Sequence, residues 1–153
     1  MKLFLTFLCT ITFATTFSQN DFTDADAKQV IDIFFEGFHE GDTLKMRSVL
    51  SNNVALQTAF SGKDGKSILN DGSIDDLLNA IANRKADQKW DERLLDYKIN
   101  VDGNLAHVWT PYQFWFNDAF SHCGANSFTL VKTDAGWKIV HLIDSRKKEG
   151  CLD

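Results

Sequence analysis

The chain has 153 residues, 44% of them apolar and 24% charged, with a formal net charge of −5 and a single Pro. That composition excludes disorder. The acidic balance, with no basic cluster beyond Arg146-Lys147-Lys148, argues against nucleic acid as a partner.

The first 18 residues read as a secretory signal peptide. Lys2 gives a positive start, Leu3 to Ala14 is a mostly apolar run too short to span a bilayer, and Thr16 and Ser18 are small enough for a cleavage site. Cys9 does not make a lipoprotein signal, because bulky Leu8 precedes it. Cleavage after Ser18 leaves residues 19–153, long enough for one domain with a real core. No later run is long and apolar enough to anchor the chain in a membrane, so the mature protein is expected to be periplasmic or secreted. Two cysteines then remain, Cys123 and Cys151, and an oxidising compartment permits a disulfide between them.

Thr23 and Asp26 form a capping-box pattern. Ala27, Val30, Ile31, Phe34, Phe35 and Phe38 follow with helical spacing, and Gly41 ends the helix. His39 in its last turn suits the helix dipole. Asp42 or Thr43 caps a short second helix carrying Leu44, Met46, Val49 and Leu50. Asn52-Asn53 predicts a turn, Val54 to Phe60 a strand, and Ser67 to Leu69 a short second strand. Ser73 and Asp76 cap a third helix with Ile74, Leu77, Leu78 and Ile81 inside. Ala86 to Lys89 is a polar connection, and alternation from Leu95 to Asp102 predicts a half-buried strand.

Leu105 to Lys147 reads as three long strands joined at Asn117-Asp118 and at Asp134-Ala135-Gly136. It holds three of the four Trp and three of the four His. Helices on one face of a mostly antiparallel sheet make the fold α+β, and the sheet must curl to close on the helices. A two-residue loop at Asn117-Asp118 pairs Phe116 with Ala119, Gln113 with His122 and Trp109 with Asn126. A three-residue loop at Asp134 to Gly136 pairs Thr133 with Trp137, and so Asn126 with Asp144 and Phe128 with Leu142. A three-residue loop at Asp102 to Asn104 sets Tyr97 against Trp109. One face then collects Tyr97, Ile99, His107, Trp109, Gln113, His122, Asn126, Phe128, Leu130, Leu142 and Asp144, apolar toward one end and polar toward the other. Such a face can line a pocket. The other face, with Val108, Thr110, Tyr112, Phe114, Cys123, Ser127, Thr129, Ile139, His141 and Ile143, is too apolar for water and is expected to make a homodimer contact. One bulge would exchange the faces beyond it.

Within that face His122 and Asp144, with Asn126 between them, are the candidate chemical pair. A carboxylate could orient a neutral His as general base or act alone. The same group could instead bind ligand or form a structural network. Trp109, Trp115 and Tyr112 could stack on a flat heteroaromatic ligand or simply be core. His107, His122 and His141 lack the tight spacing of a zinc motif, so no metal is expected. No Walker, dinucleotide, Ser-His-Asp or Cys-nucleophile pattern appears, so no cofactor is called for.

The phrase EGD after the first helix, then VALQTAF, then SHCGANSFTLVKTDAG and WKIVHLIDSR at the end, resembles nuclear-transport-factor-2-like (SnoaL-like) domains. The last segment is also similar to the final strand of the hub domain of calcium/calmodulin-dependent kinase. Residues 24 to 150 are covered, and the nearest group is the exported bacterial one called putative lumazine-binding. The resemblance implies a cone-shaped fold, a curved mostly antiparallel sheet with three helices on its concave face, an internal pocket and commonly a homodimer. The superfamily includes ketosteroid isomerase, scytalone dehydratase and polyketide cyclases beside non-catalytic binding and assembly domains. The Tyr and two Asp of the isomerase do not map onto this chain. The expectation is a small-molecule-binding protein with Tyr97, Trp109, Gln113, His122, Asn126, Phe128 and Asp144 in its site. A cofactor-independent isomerase, dehydratase or cyclase using Asp144 and His122, and a non-catalytic dimerisation module, stay open beside it.

Overall fold

The computed structural model describes residues 22–151. The expected leader, residues 1–18, lies outside the described residues. Helix α1 spans Asp24–Glu40 and α2 spans Thr43–Val49. Strands β1 (Leu50–Ser61) and β2 (Ser67–Gly72) precede α3 (Ile74–Ala82), and β3 (Trp90–Leu94), β4 (Lys98–Asp102), β5 (Leu105–Phe116), β6 (Ala119–Thr133) and β7 (Gly136–Lys147) follow. The sheet runs β2-β1-β7-β6-β5-β3, with β4 also on β5. It is antiparallel except where β1 runs parallel to β7. The fold is therefore α+β, three helices with a curved, unclosed sheet. Among the described residues no helix is long and apolar enough to cross a membrane.

Helix α1 begins where its capping box predicts. The Thr23 hydroxyl accepts from the Asp26 amide at 3.3 Å, and the Asp26 carboxylate accepts from the Thr23 amide at 2.8 Å. It stops at Gly41, whose φ of 79° suits a residue without Cβ. Its inner face buries Ala27, Val30, Ile31, Phe34, Phe35 and Phe38 on the sheet, each large side chain contributing about 2 kcal/mol or more. Phe34 and Phe35 both meet Phe128 edge-on. The end of α1 is fastened by side chains. Arg84 donates to the carbonyls of Phe38 and His39. His39 Nε2 lies 3.0 Å from both the amide and the carbonyl of Glu92, tying α1 to β3. Burial holds the His39 pKa below its usual value, so it acts as a strand anchor more than as a charge on the dipole.

Five features depart from the sequence reading. First, β1 starts straight from α2, and the expected turn at Asn52-Asn53 is an irregular stretch of strand between Leu50 and Ala55. Second, β3 forms just after the expected connection, where no element is expected; the charges in WDERL hide a strand whose Trp90, Glu92 and Leu94 share one face. The edge between β3 and β4 breaks opposite Pro111. The Pro111 carbonyl accepts from the Leu95 amide at 2.9 Å, but Pro111 has no N–H to return. Third, the Asn117-Asp118 hairpin forms with both residues left-handed, φ 49° and 61°, and pairs Phe116 with Ala119. Ser121 then bulges, so His122 faces Phe114 and not Gln113, and Asn126 faces Thr110 and not Trp109. Fourth, the last turn pairs Thr133 with Gly136, and a bulge at Val140 restores Asn126 opposite Asp144 and Phe128 opposite Leu142. That bulge turns Ile139 into the core, where it is fully buried.

Fifth, the Gly103-Asn104 turn pairs Asp102 with Leu105, which sets Lys98, not Tyr97, opposite Trp109. Cys123 and Cys151 are joined by a disulfide with Cα atoms 5.8 Å apart, fastening the C-terminal segment to β6.

Candidate functional site

Between α1, α3 and the concave sheet face lies a cavity of about 300 Å³. Its apolar part is walled by Phe34, Phe35 and Phe38 of α1, Leu77 of α3, and Leu56, Trp90, Phe114 and Leu142 of the sheet. Its polar part gathers Thr58, Glu92, His122, Asn126, Asp144 and Arg146. A mostly apolar cavity with a few converging polar groups is the usual form of a small-molecule site.

Asp144 is the hub of the polar part. It is 8% exposed, yet its oxygens are well occupied. Oδ1 accepts from the Thr58 hydroxyl at 2.6 Å. Oδ2 accepts from Tyr112 at 3.0 Å and from Arg146 Nη2 at 3.2 Å. Burial, then the charge of Asp144, pushes the Tyr112 phenol far up, so it stays a donor. A carboxylate so fully engaged is an anchor, with little capacity left to take a proton from a ligand.

Glu92 is the opposite case. Asn126 Nδ2 donates to its Oε1 at 2.7 Å, and no basic side chain forms an ion pair with it among the described residues. The residue is half-buried in the cavity wall, and desolvation of its carboxyl raises its pKa from an ordinary 4.5 to about 7. His122 lies beside Phe114 and Tyr112, with ring centroids 5.0 and 5.9 Å away, and its Nδ1 partners Ser121 at 3.1 Å. Burial and the nearby Arg146 charge lower its pKa to about 4, so the ring is neutral near pH 7.

Of the residues the sequence singles out, His122, Asn126 and Asp144 meet in this cavity. Phe128 lies beneath it, fully buried against Phe34. Trp109 and Gln113 turn to the outer sheet face, because the Ser121 bulge reverses the alternation of β5 relative to β6. Tyr97 docks on α1 instead, its hydroxyl donating to Asp32 at 2.6 Å and its ring under Lys28. His122 and Asp144 share the cavity, but the imidazole bonds Ser121 and the carboxylate bonds Thr58, Tyr112 and Arg146. His107 and His141 pair with Ser127 and Gln57, away from His122. Tyr112 turns inward and Trp115 outward, where Arg93 covers the indole. Glu92, Arg146 and the α1 phenylalanines are additional to the sequence reading. Glu92 carried one signal, its place between Trp90 and Leu94 at strand spacing.

Helices on a curved, unclosed sheet enclosing such a cavity define a nuclear-transport-factor-2-like fold. Solved structures agree. One is a nuclear-transport-factor-2-like protein of unknown function from Shewanella baltica, 19% identical, covering 84% of this chain and all of its own, with a TM-score of 0.57. A nuclear-transport-factor-2-like protein from Cytophaga hutchinsonii is 9% identical over 82% of this chain and 99% of its own, TM-score 0.63. A putative ketosteroid isomerase from Shewanella frigidimarina is 20% identical over 80% of this chain and 96% of its own, TM-score 0.57. No curated protein sequence matches the chain. The family described as putative lumazine-binding matches residues 23–142, and the chain belongs to it.

Proposed function

We propose that this protein binds a small, flat, largely apolar molecule inside the cavity, with the polar end of the ligand against Glu92, Asn126 and His122. The observation that carries the reading is the cavity itself: about 300 Å³, aromatic on the helix side, polar on the β3, β6 and β7 side. The family description, putative lumazine-binding, supports a small-molecule ligand of heteroaromatic type. Native mass spectrometry of protein purified from its own host tests it. A small-molecule adduct lost on denaturation is the expected result; a ligand-free chain that also fails to take up any apolar aromatic probe refutes it.

A second reading is catalytic, and Glu92 favours it. A carboxyl raised to about 7, in one cavity with a neutral imidazole, can give or take a proton near neutral pH, as a cofactor-independent isomerase, dehydratase or cyclase requires. Glu92 is a better candidate for that step than Asp144, whose oxygens are engaged. Turnover abolished by Glu92→Gln but preserved in Asp144→Asn would support it.

The leader-like residues 1–18 and the Cys123–Cys151 bond support export, which a mature mass beginning at Gln19 would test. Exposed Trp109 and Leu95 on the outer sheet face support self-association there, which sedimentation of the wild type against Trp109→Ser would test.

A further inference from the structure

We propose that the cavity is selective for an organic cation, a protonated amine, amidine or basic nitrogen heterocycle, with Glu92 as its counter-ion. This rests on the reading of the cavity as a binding site and adds the charge of its ligand.

Charged and polar groups face the cavity from β1, β3, β6 and β7. From β7 come Asp144 and Arg146, already paired at 3.2 Å and so largely cancelling each other. From β6 come Asn126 and His122, the latter neutral and bonded to Ser121. From β1 comes Thr58, whose hydroxyl is given to Asp144. The α1 and α3 side supplies Phe34, Phe35, Phe38 and Leu77, with no charge. His39, behind β3, touches the Glu92 main chain. Glu92 is therefore the cavity carboxyl left without a cation, held by one amide donor. A desolvated carboxyl in that state either keeps its proton or waits for a positive partner.

The walls fit the same partner. Phe34, Phe35, Phe38, Trp90 and Phe114 line the space, and aromatic faces attract cations where water is excluded. With Asp144 and Arg146 paired, an anionic ligand would meet the Glu92 carboxylate, while a neutral one would leave Glu92 unpaired. A cation meets a charge-assisted partner and an aromatic wall together.

Calorimetric titration of the full chain with three probes of one shape tests the idea: 2-naphthylmethylamine, 2-naphthylmethanol and 2-naphthoate, at about pH 8, where Glu92 is ionised. The amine is expected to bind about tenfold or more tightly than the alcohol, and the naphthoate weakest. Glu92→Gln should bring the amine down to the alcohol's level. The wild-type ranking decides the matter even if that variant fails to fold. If the alcohol or the naphthoate binds as well as the amine, the cation inference falls and the binding site stands. If none of the three binds, the cavity is not a small-molecule site and the inference falls with it.

Discussion

Replacing Glu92 by Gln should change how stability depends on pH, in a direction the structure fixes. The folded protein holds the Glu92 proton up to about pH 7, whereas the unfolded chain releases it near 4.5. The stabilisation from this group is full below 4.5 and is lost as pH rises through about 7. At about 1.4 kcal/mol per pH unit the whole loss is about 3 kcal/mol, of which about 2.5 falls between pH 5 and pH 8. Gln keeps an acceptor for Asn126 and carries no proton to lose. His122 works the other way. Its folded pKa is depressed to about 4, so stability falls as pH drops from 6.5 toward 4. The wild-type profile alone would therefore look flat over the shared range. The informative quantity is the difference between wild type and Glu92→Gln, from urea unfolding followed by Trp fluorescence at both pH values. It should shift against the wild type by about 2.5 kcal/mol on going from pH 5 to pH 8. A difference constant to within about 0.5 kcal/mol would show that the carboxyl is not desolvated in the folded state.

Gly124→Ala should cost about 3 kcal/mol or more, because a Cβ there would lie 1.7 Å from the Ser145 carbonyl oxygen and 3.0 Å from the Tyr112 ring; thermal unfolding reads this, and an unchanged midpoint would contradict the β6–β7 contact. Cys151→Ser opens a cross-link between residues 28 apart in sequence, and loop entropy sets the loss at about 3.5 kcal/mol. Equilibrium unfolding without reductant measures that loss, and two free thiols in the unreduced wild type would refute the bond. Leu142→Trp should fill the cavity and abolish probe uptake while circular dichroism keeps its folded form. Trp109→Ala should leave cavity binding unchanged, since the indole lies on the outer face; a loss of affinity would mean that the β5 register is wrong.

Much of the frame is legible without coordinates because its causes are local. The Thr23–Asp26 box, the six-residue inner stripe of α1 and the stop at Gly41 each act within a turn or two of chain. The left-handed pair at Asn117-Asp118 fixes its hairpin for the same reason. The site is only partly legible. Asn126 and Asp144 fall opposite each other because the offset of the last turn and the Val140 bulge combine to the expected register. Trp109 and Gln113 leave the cavity because a single residue, Ser121, is extra in β6. Its neighbours show no pattern that distinguishes a bulge from regular strand.

Residue spacing alone determined the α+β class, the aromatic inner face of α1, the long final strands and the placing of His122 and Asn126 on one face of β6, since periodicity follows from bond geometry within each element. Tertiary structure alone decided which carboxyl is free. Asp144 is occupied by Thr58, 86 residues earlier, and by Tyr112, 32 residues earlier, while Glu92 meets Asn126 from a strand whose charged sequence hid it. Proton affinity depends on desolvation and on partners brought in from distant strands, and those are set by register and packing, which no local pattern encodes.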